Sequence, residues 1–174
     1  MRHTLYYPLL LLLLFAVTHP LTGQGFVSKF AEQSPSNTYK KVHITQKMFR
    51  LAAESEEVKY EPKLRDILLH LDNLYVLRTG NNTPFYFRTV LEKLQQQKAF
   101  EPLVLIEDNS ERVAIFVREE QEQVRELVLA VVAKGEFILI GMEGSLRLDQ
   151  VAALSSSVKV DGMEYFKRIK LNTN

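Results

Sequence analysis

Four apolar runs in the second half of the chain, residues 103–106, 113–117, 124–132 and 137–142, constrain the fold more than any other feature. Val, Ile, Leu and Phe dominate them, and short polar spacers at 107–112, 118–123 and 133–136 separate them. Branched and aromatic side chains suit a pleated, buried surface, and spacers this short join antiparallel neighbours. The pattern predicts an antiparallel meander. Several runs are continuous rather than alternating, so both faces of those strands must be covered. Gly141, inside the last run, marks a bulge or a close approach by another backbone.

The first half supplies helices. Residues 26–31 read as a short helix with Phe26, Val27 and Phe30 on one side, and residues 34–37 as a turn. Residues 41–45 alternate as a half-buried strand does, with Val42 and Ile44 facing one way. Thr45 is placed to cap a helix through Met48, Phe49, Leu51 and Ala52. After a charged loop, Pro62 suits a helical first turn, and Leu64, Ile67, Leu68 and Leu71 make a stripe at i, i+3, i+4 and i+7. Asp72-Asn73 is expected to stop that helix, and residues 74–77 read as a strand. Thr83 and Pro84 open a third helix with Phe87, Val90, Leu91 and Leu94 inward. Leu148, Val151 and Leu154 give a last helix, followed by an amphipathic tail at 162–171.

The expected architecture is α+β: one mainly antiparallel sheet with a β-meander in the C-terminal half and helices packed on it. Three helices are expected on one face. The cover of the other is open between a fourth helix, the tail and a second copy of the chain. Leu68 and Leu91, each in mid-stripe, are expected to be buried against the sheet.

Residues 1–25 read as a secretory leader. Arg2 provides the positive start, residues 9–17 the apolar stretch, Pro20 the break, and Gly23 and Gly25 the small residues of a cleavage site. The apolar stretch is about half of what a bilayer-spanning helix needs. Residues 26–174 then form a single domain, of a length that buries a core without staples. As a −3/−1 pair, Gly23 and Gly25 put the cut after Gly25. Removing Arg2 from 22 basic and 21 acidic residues leaves no net charge, which argues against nucleic acid or an anionic membrane as partner. Cysteine is absent, so disulfides, a thiol nucleophile, thiolate-bound metal and lipidation at the leader junction are excluded. No second stretch is long enough to cross a membrane.

The order of these features resembles the domain of unknown function 4252 family, small exported proteins mostly of Bacteroidota. The residues carrying the likeness are Val42-His43-Ile44-Thr45 running into Gln46-Lys47-Met48-Phe49, then Leu103-Val104-Leu105-Ile106-Glu107-Asp108 and Val113-Ala114-Ile115-Phe116-Val117-Arg118. Glu126-Leu127-Val128-Leu129 leads on to the segment from Gly135 to Gly144, then Leu148, and Gly162-Met163-Glu164 closes the match. The resemblance implies an envelope location and a β-rich second half. It also implies a mature chain starting at Gln24, which moves the cut to Gly23. It assigns no activity, so no functional residue is carried over.

His43 stands alone, without the spacing of a metal site, and reads as a surface histidine. His70 sits near a helix C-terminus, where a cation is favoured. Glu107, Asp108, Glu111, Glu119, Glu120 and Glu122 cluster at strand ends, where paired carboxylates can run glycoside hydrolysis. Arg112, Arg118 and Arg125 interleave with them, as at solvated hairpin ends. Gly135, Gly141 and Gly144 lack the order and lysine of a phosphate loop, and Ser110 and the run at 155–157 lack a nucleophile elbow. Asn81-Asn82-Thr83 forms a sequon weakened by Pro84. Phe85 and Tyr86 are the best hint of an exposed contact surface.

No catalytic, cofactor-binding or metal-ligating residue is nominated, and no cofactor is expected. The chain is expected to be a periplasmic or extracellular protein that binds a protein partner or self-associates without catalysis. The alternative is a secreted hydrolase using carboxylates.

Overall fold

The computed structural model describes residues 24–150, leaving aside Ser36, Asn109, Ser110 and Leu148. The leader up to Gly23, Ser110, the last helix beyond Gln150 and the tail lie outside these residues. The elements are α1 (Phe26–Gln33), β1 (Lys40–Thr45), α2 (Gln46–Ala53), α3 (Pro62–Leu69), β2 (Leu71–Thr79), α4 (Thr83–Gln95), β3 (Glu101–Glu107), β4 (Glu111–Glu120), β5 (Gln123–Ala133) and β6 (Glu136–Leu146).

Strands β3 to β6 form the expected meander. Strand β6 then pairs with β2, giving a six-stranded sheet in the order β1-β2-β6-β5-β4-β3. Every neighbouring pair is antiparallel. The central strands alternate between two cores, which explains why their sequences show no alternation of polarity. Val113, Ile115, Val117, Leu127, Leu129 and Ile140 join one core, with Phe49 and Ala53 of α2 and Ile67 and Leu68 of α3. Ala114, Phe116, Val128, Ala130 and Leu139 join the other, with Phe26, Val27 and Phe30 of α1 and Phe87, Val90 and Leu94 of α4.

The helices are therefore split two and two, not gathered on one face. A stripe of apolar residues says which side of a helix turns inward, but not which face of the sheet receives it. Chain crossing decides that: α4 links β2 in the sheet to β3 at its far edge and must traverse a face to do so. The runs at 113–117 and 137–142 are buried on both sides within the single chain, so no second copy is required to cover them.

Four local expectations shift. Leu71 opens β2 rather than closing the stripe of α3, and Asp72-Asn73 lies inside that strand. Strand β1 is an edge, so Val42 is 53% exposed and Ile44 only half-buried. In α2, Phe49 and Ala53 point inward while Met48 and Leu51 face solvent. Leu68 is buried as expected, but Leu91 lies on the flank of α4 and is only half-buried.

Both sheet edges discourage further pairing. Lys40 and Lys41 charge β1, and Pro102 sits in β3 beside a register shift. The hairpins β4–β5 and β5–β6 turn through residue pairs with positive φ: Gln121 at 55° with Glu122 at 62°, and Lys134 at 52° with Gly135 at 78°. Two-residue turns of this hand match strand twist and favour Asn-Gly. Gln121 and Glu122 hold that geometry without a glycine. Gly141 is closely approached, by a side chain rather than the backbone expected from the sequence: a Cβ there would lie 2.6 Å from Cβ of Val27 on α1.

Four variants check this packing by chemical denaturation. Leu68→Ala is expected to lose about 2 to 5 kcal/mol through transfer energy and a residual cavity, and Leu91→Ala clearly less. Gly141→Ala is expected to lose about 1 to 3 kcal/mol by lifting α1 from the sheet. Changing Gln121→Asn and Glu122→Gly together is expected to gain about 1 kcal/mol by relieving two left-handed residues.

Candidate functional site

The sheet face under α1 and α4 is apolar along most of its length and turns polar at one end. There Asn73 of β2 stands opposite Glu143 of β6, Glu143 opposite Glu126 of β5, and Glu126 opposite Arg118 of β4. Four adjacent strands thus present one polar row. Asn73 Nδ2 donates to Glu143 Oε2 at 2.9 Å, and Asn73 Oδ1 lies 2.9 Å from Nε2 of His43. The His43 ring stacks on Tyr75 with centroids 4.0 Å apart. At the other end Arg118 Nε is 3.6 Å from Glu126 Oε2, and the same guanidinium pairs with Glu120. A register shift in β5 at Arg125 interrupts the ladder. The Arg125 guanidinium donates to the Ser145 hydroxyl, and its Nε lies 3.9 Å from Glu120.

Helix α1 begins directly over this row. Gly25 is its N-cap residue and has no side chain to cap with, so the strand supplies the acceptor: Phe26 N–H donates to Glu126 Oε1 at 2.5 Å. Orphan N–H groups at a helix start favour a carboxylate. Gly25 also leaves room for the pair, because a Cβ there would displace the Glu143 carboxyl and come within 2.8 Å of Glu126 Oε1. The helix therefore touches the sheet through two glycines, Gly25 at its start and Gly141 under Val27.

Glu126 is only 2% exposed. Burial is the largest influence on its carboxyl and pushes its pKa up, the Phe26 N–H opposes that, Glu143 adds to it and Arg118 opposes it; the net direction is up. Directly opposed like charges also repel across a ladder.

Beside the row opens a cleft of ≈ 980 Å³. Lys29 and Gln33 of α1, Lys93, Gln96 and Gln97 at the end of α4, and Asp72, Arg118, Glu120 and Arg125 from the strands line it together with Glu126 and Glu143. Two opposed carboxylates, one held towards its protonated form, are the raw material of acid–base chemistry. Here the Gly25–Phe26 backbone lies against both, so they anchor the chain's own helix.

Of the six strand-end carboxylates singled out in the sequence, Glu120 reaches the cleft with Arg118 and Arg125. Glu107 faces Arg112 across β3 and β4, and Asp108 accepts the Glu111 N–H in the turn between them. Glu119 and Glu122 are exposed. His70 closes α3, its Nδ1 2.7 Å from the Asp66 carbonyl oxygen. Among the described residues no group of three His, Asp or Glu could hold a metal ion. Phe85 is exposed, whereas Tyr86 packs on Tyr39 and Phe137. The residues that sequence reading missed are Asn73, Glu126 and Glu143. Their signal was the break of polarity that Arg125-Glu126 makes inside the run at 124–132.

The model of a family described as a domain of unknown function (DUF4252) matches residues 35–154. No curated protein and no solved structure matches the chain. The matched segment holds the whole polar row but begins after α1, the helix seated on it.

The raised pKa of Glu126 has a signed consequence while the Gly25–Phe26 bond is intact. The folded chain keeps a proton that the unfolded chain releases between the ordinary glutamate value and the raised one. Through that window this group's contribution to stability falls as pH rises, and the loss is complete above the raised value. Denaturation midpoints measured across that window are expected to show this slope in the chain that retains Gly25 and to lose it in the same chain carrying Glu126→Gln.

Proposed function

The chain belongs to the DUF4252 family, and from that premise we propose that it is an exported, non-catalytic binding module, periplasmic or extracellular, whose working surface is the mixed-charge cleft beside α1. The observation that carries this reading is the occupancy of the Glu126–Glu143 pair by the Gly25–Phe26 backbone. With those groups engaged, the cleft offers a partner its exposed charges, chiefly Lys29, Lys93 and Glu120 on the rim. Charges of both signs suit a protein surface of matching pattern. The order of features in residues 1–25 supports export. No described helix is long and apolar enough to cross a membrane.

Self-association loses its original support, because the apolar runs at 113–117 and 137–142 are covered within one chain. A protein partner in the cleft is the form of the binding reading that remains. The test is affinity capture from envelope extract with wild type and with Lys29→Glu plus Lys93→Glu. Both lysines are exposed, so the fold should be kept while recovery of a specific partner falls at least tenfold. Equal recovery by the two proteins would exclude the cleft as the binding surface.

The hydrolase reading has one specific observation in its favour: Glu126 is held towards its protonated form beside a second carboxylate in a cleft. It requires the start of α1 to withdraw from the pair. Hydrolysis of a glycoside or ester panel, abolished by Glu143→Gln, would establish it.

A further inference from the structure

We infer that leader removal finishes the fold: the mature chain begins at Phe26, and its new α-ammonium group is the counter-charge of Glu126 and Glu143. The inference rests on the export reading above and adds to it a position for the cut and a structural role for the terminus it creates.

Three observations converge on the Gly25–Phe26 bond. The Gly23 and Gly25 pair fits the −3/−1 rule for a cut after Gly25. The nitrogen that this cut would free is the one already 2.5 Å from Glu126 Oε1. Gly25, which the cut would remove, lies so close to Glu143 and Glu126 that any side chain there would have to push their carboxyl groups aside. A small residue is thus favoured at one position for two unrelated reasons, access of a leader peptidase and an undisturbed contact with the two carboxylates.

The electrostatics run the same way. Glu126 is buried, and a like charge stands directly opposite it on the neighbouring strand. Its nearest cation, Arg118, is 3.6 Å away and shared with Glu120. Arg125 is engaged with Ser145 and Glu120, while Lys29 and Lys93 stand on the exposed rim. A backbone N–H gives a buried carboxylate a charge-assisted hydrogen bond but no opposite unit charge; an ammonium gives both.

Hydrolysis of the bond consumes one water, leaving a carboxylate on Gly25 in the released leader and an amine on Phe26 that takes up a proton. The N–H that replaces the bond to Gly25 points along the path Gly25 occupied, past the Glu143 carboxyl. Two hydrogen bonds are given up, Lys29 N–H to the Gly25 carbonyl at 3.1 Å and the exposed Gln24 Nε2 to Glu32 Oε1 at 2.6 Å. A cation at a helix start is disfavoured by the helix dipole, so this terminus needs the two carboxylates that the sheet provides. Leader peptidases act on extended chain, so the terminus exists before the sheet closes under it.

The test begins with the full chain produced in an exporting bacterial host. The N-terminus of the envelope protein is read by intact mass and sequencing, and the Phe26 α-amine is then labelled at neutral pH with an amine-reactive reagent. The expected start is Phe26, with labelling at least tenfold slower in the folded protein than in the same protein unfolded in urea. In Glu126→Gln the folded-state rate should rise at least tenfold. Intact Met1 would overturn the export reading and the inference with it. A start at Gln24, or at any residue other than Phe26, would leave export standing and overturn the inference alone. A start at Phe26 with an amine as reactive folded as unfolded would overturn it too, and that comparison needs no variant to fold.

Discussion

Burial of β4, β5 and β6 on both faces is the constraint on which the rest of this structure depends. A strand exposed to water on one side can alternate; these cannot, and each contributes to two cores at once. Burying an aliphatic or aromatic side chain is worth about 1.5 to 3 kcal/mol, so stability is concentrated in the strands of one sheet. The helices are then cover. Among the described residues two lie on each face, and the edge strands β1 and β3, with little cover, carry lysine and proline instead. The cysteine-free sequence fits such a chain, because a two-faced sheet needs no cross-links to hold it.

That arrangement leaves one place where the cover is polar. Helix α1 has to begin somewhere over the sheet, and a helix start brings N–H groups without partners. No side chain of the preceding residue caps it, since that residue is Gly25. The acceptor comes from below, from Glu126, and the register of the ladder brings Asn73, Glu143 and Arg118 into line beside it. A buried carboxylate is tolerable only with partners. Asn73 steadies Glu143, Arg118 faces Glu126, and the helix start closes the gap. The site is thus produced by packing: the same contacts that seat α1 bring two carboxylates together.

The sequence made the sheet legible because apolar runs and short spacers act locally, and strand pairing between consecutive runs follows from them. Helix positions were legible for the same reason, through stripes at Phe87, Val90 and Leu94 or at Ile67 and Leu68. Two things were not. The face chosen by each helix depends on crossings between distant elements, above all the return of β6 to β2. The polar row depends on register across four strands whose residues lie up to 70 positions apart, as Asn73 and Glu143 do. Asn73 resembled a helix stop because its neighbours Leu64, Ile67 and Leu68 continue so naturally to Leu71. Glu126 was hidden inside an apolar run, where its charge looked like an interruption rather than an anchor.

Whether such a row serves binding or chemistry turns on access. Acid–base catalysis needs its groups held within about 3 Å of the atoms they serve, with a substrate free to reach them. Glu126 and Glu143 are well held, but the chain itself occupies the approach. Of the groups that do face the open cleft, Lys29 and Lys93 sit on long exposed side chains, and Glu120 is exposed but paired with Arg118. Side chains of that kind attract and orient a charged partner over several ångströms and are poor instruments for positioning a reacting atom. The buried charges are turned inward to hold the fold and the exposed ones are turned outward, and that division is the basis on which the binding reading is proposed over the hydrolytic one.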